Sequence, residues 1–251
     1  MKYRKKKKEK VIVIMPAYNA AKTLKKTYDD IPKKYADEII LVDDCSIDNT
    51  VEIAKKIGID KVIRHDKNKG YGANQKTCYQ TALKDGADII VMIHPDYQYD
   101  PRKLPEIIKP IQEGRADVVY GSRMLIRGMA KKGGMPLWKR AGNFLLTAYM
   151  NVMIGSELTD SATGYIAYSK KVLESIPFEY NDDGFCFDEE AIIQCADRKF
   201  SMAEVPIPTR YETDSSSISL KKSIKYCATL LFEIAKYKLH QFGIMRFKQF
   251  K

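Results

Sequence analysis

Val11-Ile12-Val13-Ile14-Met15-Pro16-Ala17-Tyr18-Asn19 sets a compact apolar run directly against a cluster of turn-forming residues. A short, fully apolar run closed by turn residues reads as a strand buried on both faces. Outward from it, residues 20–35 have helical spacing and 38–42 are apolar again, followed by helical 50–57. The alternation continues with strand-like 61–64, helical 72–83, strand-like 89–93, helical 101–112 and strand-like 117–120. Strands and helices in strict alternation predict βαβ units, hence an α/β fold with a mainly parallel sheet flanked by helices.

Polar residues gather immediately after these strands: Pro16 to Asn19, Asp43-Asp44, His94-Pro95-Asp96 and Gly121-Ser122-Arg123. Open α/β sheets bind ligands outside the carboxyl ends of their strands, so four such clusters predict one shared crevice. Asp43 and Asp44 can accept hydrogen bonds from a ribose or a base N–H, whereas Asp48 and Thr50 read as helix-entry residues. Asp96 and Gln98, two apart in a loop, can both offer oxygen to one Mg²⁺ or Mn²⁺. Asp188-Glu189-Glu190 opens a helix, where the dipole already favours carboxylates and accounts for at least one of the three.

The 251 residues are 45% hydrophobic, enough for one sizeable α/β domain. A formal charge of +11 predicts an anionic partner: nucleotide phosphates, lipid headgroups or nucleic acid. Nucleic acid is disfavoured, because the basic residues sit mainly at the two ends and no recognised nucleic-acid module is present. A nucleotidyltransferase would carry a glycine-rich phosphate loop after its first strand, and Pro16-Ala17-Tyr18-Asn19 is not one. Five scattered cysteines without a C-x-x-C pair suit a reducing compartment, and the basic start leads into a strand rather than a secretory leader. The longest nearly apolar run, 144–155, is too short to span a bilayer and predicts a buried or interfacial helix.

In this order and spacing the motifs resemble the family 2 glycosyltransferases of GT-A fold, especially the dolichyl- or polyprenyl-phosphate sugar synthases. The resemblance runs from about Val11 to Tyr211. It rests on Pro16-Ala17-Tyr18-Asn19, on Val42-Asp43-Asp44 with Ser46, Asp48 and Thr50, and on Asn68-Lys69-Gly70-Tyr71-Gly72. Asp96 through Pro101, Gly121-Ser122-Arg123 and Pro206 through Tyr211 complete it. It implies inverting transfer from a UDP- or GDP-sugar, with Pro16, Ala17, Tyr18, Asn19, Asp43, Asp44, Lys69, Gly70 and Asp96 at the nucleotide-sugar. It places Asp96 and Gln98 on Mg²⁺ or Mn²⁺, and Arg123, Lys139, Arg140 and Arg210 on phosphate or acceptor. Asp188, then Glu189, takes the acidic catalytic position: a general base toward an alcohol, an orienting group toward a phosphate that is already ionised. The acceptor implied first is a polyprenyl phosphate at the cytoplasmic membrane face, with a growing saccharide second.

Two positions depart from the pattern. His94 stands where the metal motif normally begins with Asp, and either ligates metal, favouring Mn²⁺, or marks reduced metal dependence. Ala20 stands where a Glu is usual, removing one nucleoside contact, and His94 leaves a non-catalytic nucleotide-sugar binder as an alternative. The domain is expected over 9–215, with a basic amphipathic tail over 216–251. In that tail Leu220, Ile224, Cys227, Leu231 and Ile234 have helical spacing beside Lys221, Lys222, Lys225, Lys236 and Lys238. Such a helix either docks on the domain or lies on an anionic membrane.

Overall fold

A computed structural model describes residues 8–211 and 220–251, with side chains described from 226 onward in the last helix. The expected boundary at 215 and the side chains of Leu220, Lys221, Lys222, Ile224 and Lys225 lie outside the described residues, as does most of the Lys5–Lys8 tract.

In chain order the elements are β1 (Val11–Ala17), α1 (Leu24–Asp30), β2 (Glu38–Asp43), α2 (Thr50–Lys56), β3 (Lys61–Arg64), α3 (Tyr71–Lys84), β4 (Ile89–Ile93) and α4 (Leu104–Gln112). The second half supplies β5 (Val118–Ser122), α5 (Met129–Lys132), α6 (Leu137–Ile154), β6 (Tyr165–Ser169), α7 (Lys170–Ser175), α8 (Phe187–Asp197), β7 (Met202–Pro206) and α9 (Leu220–Gln241). One seven-stranded sheet has the order β3-β2-β1-β4-β6-β5-β7. All pairings are parallel except those of β6, which runs antiparallel to both β4 and β5. The expected α/β alternation therefore holds through β5, and the less regular second half supplies the reversed strand.

Period-two alternation explains why the strands read as continuously apolar. Ile12, Ile14, Ile40, Val42, Ile90 and Met92 face a core shared with α3, α6, α8 and α9. Val11, Val13, Met15, Leu41, Val91 and Ile93 face the opposite core against α1, α2 and α4. Each residue of the inner strands β1 and β4 thus has a layer of helices above or below it.

The C-terminal helix docks on the domain. Leu230, Ile234 and Tyr237 of α9 are buried in the first core, and Phe250 joins them from the 3-10 turn Lys248–Phe250. Of the two fates open to this amphipathic segment, packing against the protein is the one observed over its described part.

Candidate functional site

The carboxyl ends of β1 and β2 are stitched together by their own polar residues. Asn19 adopts φ +52°, a left-handed conformation that Asn tolerates. Its N–H donates to Ser46 Oγ at 2.8 Å and its Oδ1 accepts from Ile47 N at 3.0 Å. Asp43, fully buried, accepts from Ser46 N at 2.9 Å and from the Ser46 hydroxyl. Asp48 accepts from Ala21 N at 3.0 Å and Thr50 N at 3.1 Å, as a helix-entry residue should. Pro16 and Ala17 are buried, and Tyr18 stands exposed at the mouth.

Asp44 is an organiser of the neighbouring loop. Its Oδ1 takes the Lys69 N–H at 2.8 Å and its Oδ2 the Gly70 N–H at 2.9 Å, while His65 Nδ1 lies 2.8 Å from Oδ1. Gly70 has φ +103°, and a Cβ there would sit 2.5 Å from the Asp183 carbonyl oxygen, so only glycine lets the loop pass. His65 was not among the expected site residues; it is buried and bridges Asp44 to Thr77 Oγ1 at 3.0 Å. Asp43, Asp44, Lys69 and Gly70 are therefore brought together, with the two carboxylates shaping the crevice through hydrogen bonds inside the protein.

The loop after β4 carries the metal candidates. Asp96 is half-buried and its Oδ1 accepts from Gln98 N at 3.0 Å, while Gln98 O receives Arg210 N at 2.8 Å. His94 is engaged from both sides of its ring. Its Nε2 lies 3.0 Å from the Tyr71 hydroxyl, and it also hydrogen-bonds the Pro16 carbonyl. Burial holds its pKa below the ordinary imidazole value. Of the three residues expected to ligate metal, the structure turns His94 into the Tyr71 contact and leaves Asp96 with Gln98 on the loop.

Tyr71 continues to the acidic residues of α8. Its hydroxyl donates to Asp188 Oδ2 at 2.8 Å, and Gln75 Nε2 lies 3.3 Å from the same oxygen. Asp188 Oδ1 is buried and has no protein partner. Burial raises the Asp188 pKa to about 6, the donors from Tyr71 and Gln75 opposing it. Glu189 is raised to about 8, by burial first and then by the Asp188 charge, against the hydrogen bond from Tyr226 of α9. Tyr71 and Tyr226 were also missed by the sequence reading; no motif marks either as the partner of an acid.

On the acceptor side the four basic candidates divide. Arg123 is buried, and its guanidinium pairs with Asp160 through Nε–Oδ2 and Nη2–Oδ1, both 2.7 Å. It also donates to the Ala162 carbonyl and, at 2.9 Å, to the Tyr211 hydroxyl. Its charge is compensated inside the protein, so it braces the site, which differs from the expected phosphate contact. Arg210 stacks over the Tyr97 ring at 4.6 Å, with Nη2 3.7 Å from Asp100 Oδ2. Its Nη1, like Nε of Arg140, is buried with no protein acceptor. Lys139 sits 5.4 Å from the Trp138 ring and 5.6 Å from the Tyr211 ring, and burial lowers its pKa, helped by the Arg123 charge.

Among the described residues no three His, Cys, Asp or Glu side chains converge as a metal cage. A half-buried carboxylate with a neighbouring amide nevertheless fits a hard divalent ion of the kind that takes one or two protein oxygens and completes its shell with substrate phosphates. The residues suit an ion shared with a ligand.

The model of Glycosyl transferase family 2 matches residues 12–176. An uncharacterised protein of Methanocaldococcus jannaschii is 35% identical over 210 residues, 84% of this chain and 85% of that protein. The UDP-N-acetylglucosamine–dolichyl-phosphate N-acetylglucosaminyltransferase of Methanococcus voltae is 33% identical over 217 residues, 80% of this chain and 86% of that enzyme. Glucosyl-3-phosphoglycerate synthase from Mycobacterium tuberculosis, in complex with phosphoglyceric acid, superposes with a TM-score of 0.69 at 23% identity over 90% of this chain and 80% of that one. A crystal structure of that enzyme with Mn²⁺, uridine diphosphate and glucosyl-3-phosphoglycerate gives 0.64 at 19% identity, over 94% and 80%.

Proposed function

The chain belongs to glycosyltransferase family 2 and has the GT-A fold, and from that premise we propose that it transfers a sugar from a UDP- or GDP-sugar to a polyprenyl or dolichyl phosphate. The observation that carries the acceptor reading is a pair of buried guanidinium N–H groups, on Arg140 and Arg210, with no acceptor in the protein. A buried donor without a partner costs about 1–3 kcal/mol, a penalty that a bound phosphate removes. Guanidinium is also suited to phosphate geometry. The Methanococcus voltae relative, named for a dolichyl-phosphate acceptor, supports the same reading.

The nucleotide-sugar lies at the ends of β1 and β2, against Pro16 to Asn19 and the loop that Asp44 anchors through Lys69 and Gly70. Asp96, with Gln98, would hold the divalent ion. Such an ion, Mg²⁺ or Mn²⁺, neutralises charge on the leaving diphosphate. The acceptor oxygen attacks the anomeric carbon from the face opposite the nucleotide. The bond from that carbon to the diphosphate oxygen breaks, and its electron pair leaves with the nucleoside diphosphate, so configuration inverts. A phosphate nucleophile is already ionised, and Asp188, steadied by Tyr71 and Gln75, then orients it. The reaction places the protein at a membrane surface facing the cytoplasmic nucleotide-sugar pool.

The test is transfer across a panel of UDP- and GDP-sugars with Mn²⁺ or Mg²⁺, with and without a short polyprenyl phosphate. Turnover that needs the lipid phosphate supports the proposal. Turnover onto a saccharide alone overturns the acceptor, and donor binding without turnover overturns the activity.

A further inference from the structure

Helix α6 carries apolar side chains on its outer face as well as on its inner one. Inward it sends Asn143, Thr147 and Met150, all buried, with Leu146, Tyr149, Met153 and Ile154 packed against the core, and the two polar members are fixed there. Asn143 Nδ2 donates to Asp160 Oδ1 at 2.8 Å, and Thr147 Oγ1 lies 2.9 Å from Ser161 Oγ. The outward stripe, at helical spacing, is Leu137 (72% exposed), Phe144 (62%), Leu145 (66%) and Val152 (82%), with Trp138 (49%) at its start. A helix in water hides its apolar face and shows its polar one. Contiguous exposed apolar side chains of this size mark a surface that meets an apolar partner.

The charge beside the stripe selects the partner. From residue 124 to residue 156 the chain has Arg127, Lys131, Lys132, Lys139 and Arg140 and not one Asp or Glu. Arg127, Lys131 and Lys132 are exposed, next to exposed Leu125 and Ile126. A second copy on this face would set these cations against their own symmetry mates. A bilayer with anionic headgroups offers both complements at once: acyl chains for the apolar stripe and phosphates for the lysines and arginines. No described helix is long and apolar enough to cross a membrane, so contact along the surface is the geometry available to α6.

We infer that the 124–132 segment and the outer face of α6 form the surface by which this protein lies on an anionic bilayer. The inference rests on the proposed lipid-phosphate acceptor and adds where the membrane sits. The segment leaves the carboxyl end of β5, and Arg123 and Arg140 line one cleft with Met124 to Lys131, so the bilayer face adjoins the acceptor side of the crevice. It also sets the membrane contact apart from the C-terminal helix, where Leu230, Ile234 and Tyr237 are already used in the core.

Trp138 is the only tryptophan in the chain, so it reports on this face alone. Vesicles of equal phosphatidylglycerol and phosphatidylcholine should shift its emission to shorter wavelength and carry the protein down on sedimentation. Phosphatidylcholine vesicles, or added salt, should weaken both effects at least tenfold. A Leu137→Ser/Phe144→Ser/Leu145→Ser variant, checked for an unchanged melting temperature, should partition at least tenfold less while transferring to a detergent-dispersed short polyprenyl phosphate as the wild type does. Unshifted wild-type emission overturns the inference. So does wild-type partitioning by the variant, or a dimer in sedimentation equilibrium that the triple substitution dissociates. Vesicle binding by a wild type unable to use the lipid phosphate would leave the bilayer face standing and sink the acceptor reading instead.

Discussion

Asp188 meets two donors through a single oxygen and keeps the other buried without a protein partner. Removing the Tyr71 donor in Tyr71→Phe deletes one of the two groups that hold the Asp188 pKa down. The acid limb of the pH–rate profile should therefore move above about 6, where burial already puts this carboxyl. An Asp188→Asn variant separates the two acceptor chemistries. Toward an alcohol, loss of the general base should lower kcat by about 10²-fold or more, and toward a lipid phosphate by less than about tenfold. Asp96→Ala should abolish the Mn²⁺ dependence of uridine diphosphate binding in calorimetric titration; a dependence that survives would place the ion elsewhere. The places of Asp188 at a helix start and of Asp96 in a loop after a strand were legible, because an acidic run opens the one and the most hydrophobic run ends before the other. Tyr71 lies 117 positions before Asp188, and Asp160 lies 37 after Arg123. Neither pairing has a local period or motif, because the fold alone brings these residues together, and Arg123 therefore reads as a free phosphate ligand until its partner is seen.

At the scale of elements, the N-terminus of α3 is the tightest joint near the site. A Cβ on Gly72 would lie 2.2 Å from the Asp182 carbonyl oxygen and 2.9 Å from Phe187 Cβ. Gly72→Ala must push α3 away from α8, at a cost of about 1–3 kcal/mol, and carries Tyr71 off Asp188 as it does so. The expected result is a melting temperature lower by several degrees together with reduced turnover, read by calorimetry and by transfer on the same sample. Elements β1 to β5 and the helices between them were legible because β1, β2, β4 and β5 are apolar runs buried on both faces, the edge strand β3 is short and apolar in its middle, and each helix has turn residues at its ends. Strand β6 was not, although Tyr165-Ile166-Ala167-Tyr168 is as apolar as its neighbours. Strand direction is fixed by how the connection returns to the sheet, and the long crossing through α6 brings β6 back antiparallel between β4 and β5. Helix α6 was half legible: its apolar run announces a helix, but which stripe faces inward depends on Asp160 and Ser161 waiting for Asn143 and Thr147.

Across the whole molecule, the acids at the start of α8 tie the catalytic crevice to the C-terminal end of the chain. Glu189 accepts from Tyr226 of α9, and Glu190 Oε1 from Gln249 Nε2 at 3.1 Å; Gln249 also donates to Glu233 at 2.8 Å. Burial raises the Glu189 pKa to about 8 and that of Glu190 to about 9. A carboxyl whose folded pKa lies above its unfolded value, 4.5 here, favours the fold while it is protonated. That contribution is complete below about pH 4.5 and is lost as pH rises through the folded value, so these two groups weaken the fold between pH 4.5 and 9. The loss is on the order of a few kcal/mol, which at about 2–4 °C per kcal/mol for a chain of this size becomes a fall of several degrees. Melting temperature should therefore decline from pH 6 to pH 9, whereas a protein governed by paired surface carboxylates would show no such fall. Glu189→Gln keeps the side-chain shape and an acceptor for Tyr226 but cannot ionise, so it should flatten the decline and melt above the wild type at pH 9. A wild-type profile level from pH 6 to 9, or a Glu189→Gln profile parallel to it, would show that Glu189 ionises in the folded protein without cost, through water that reaches it between α8 and α9.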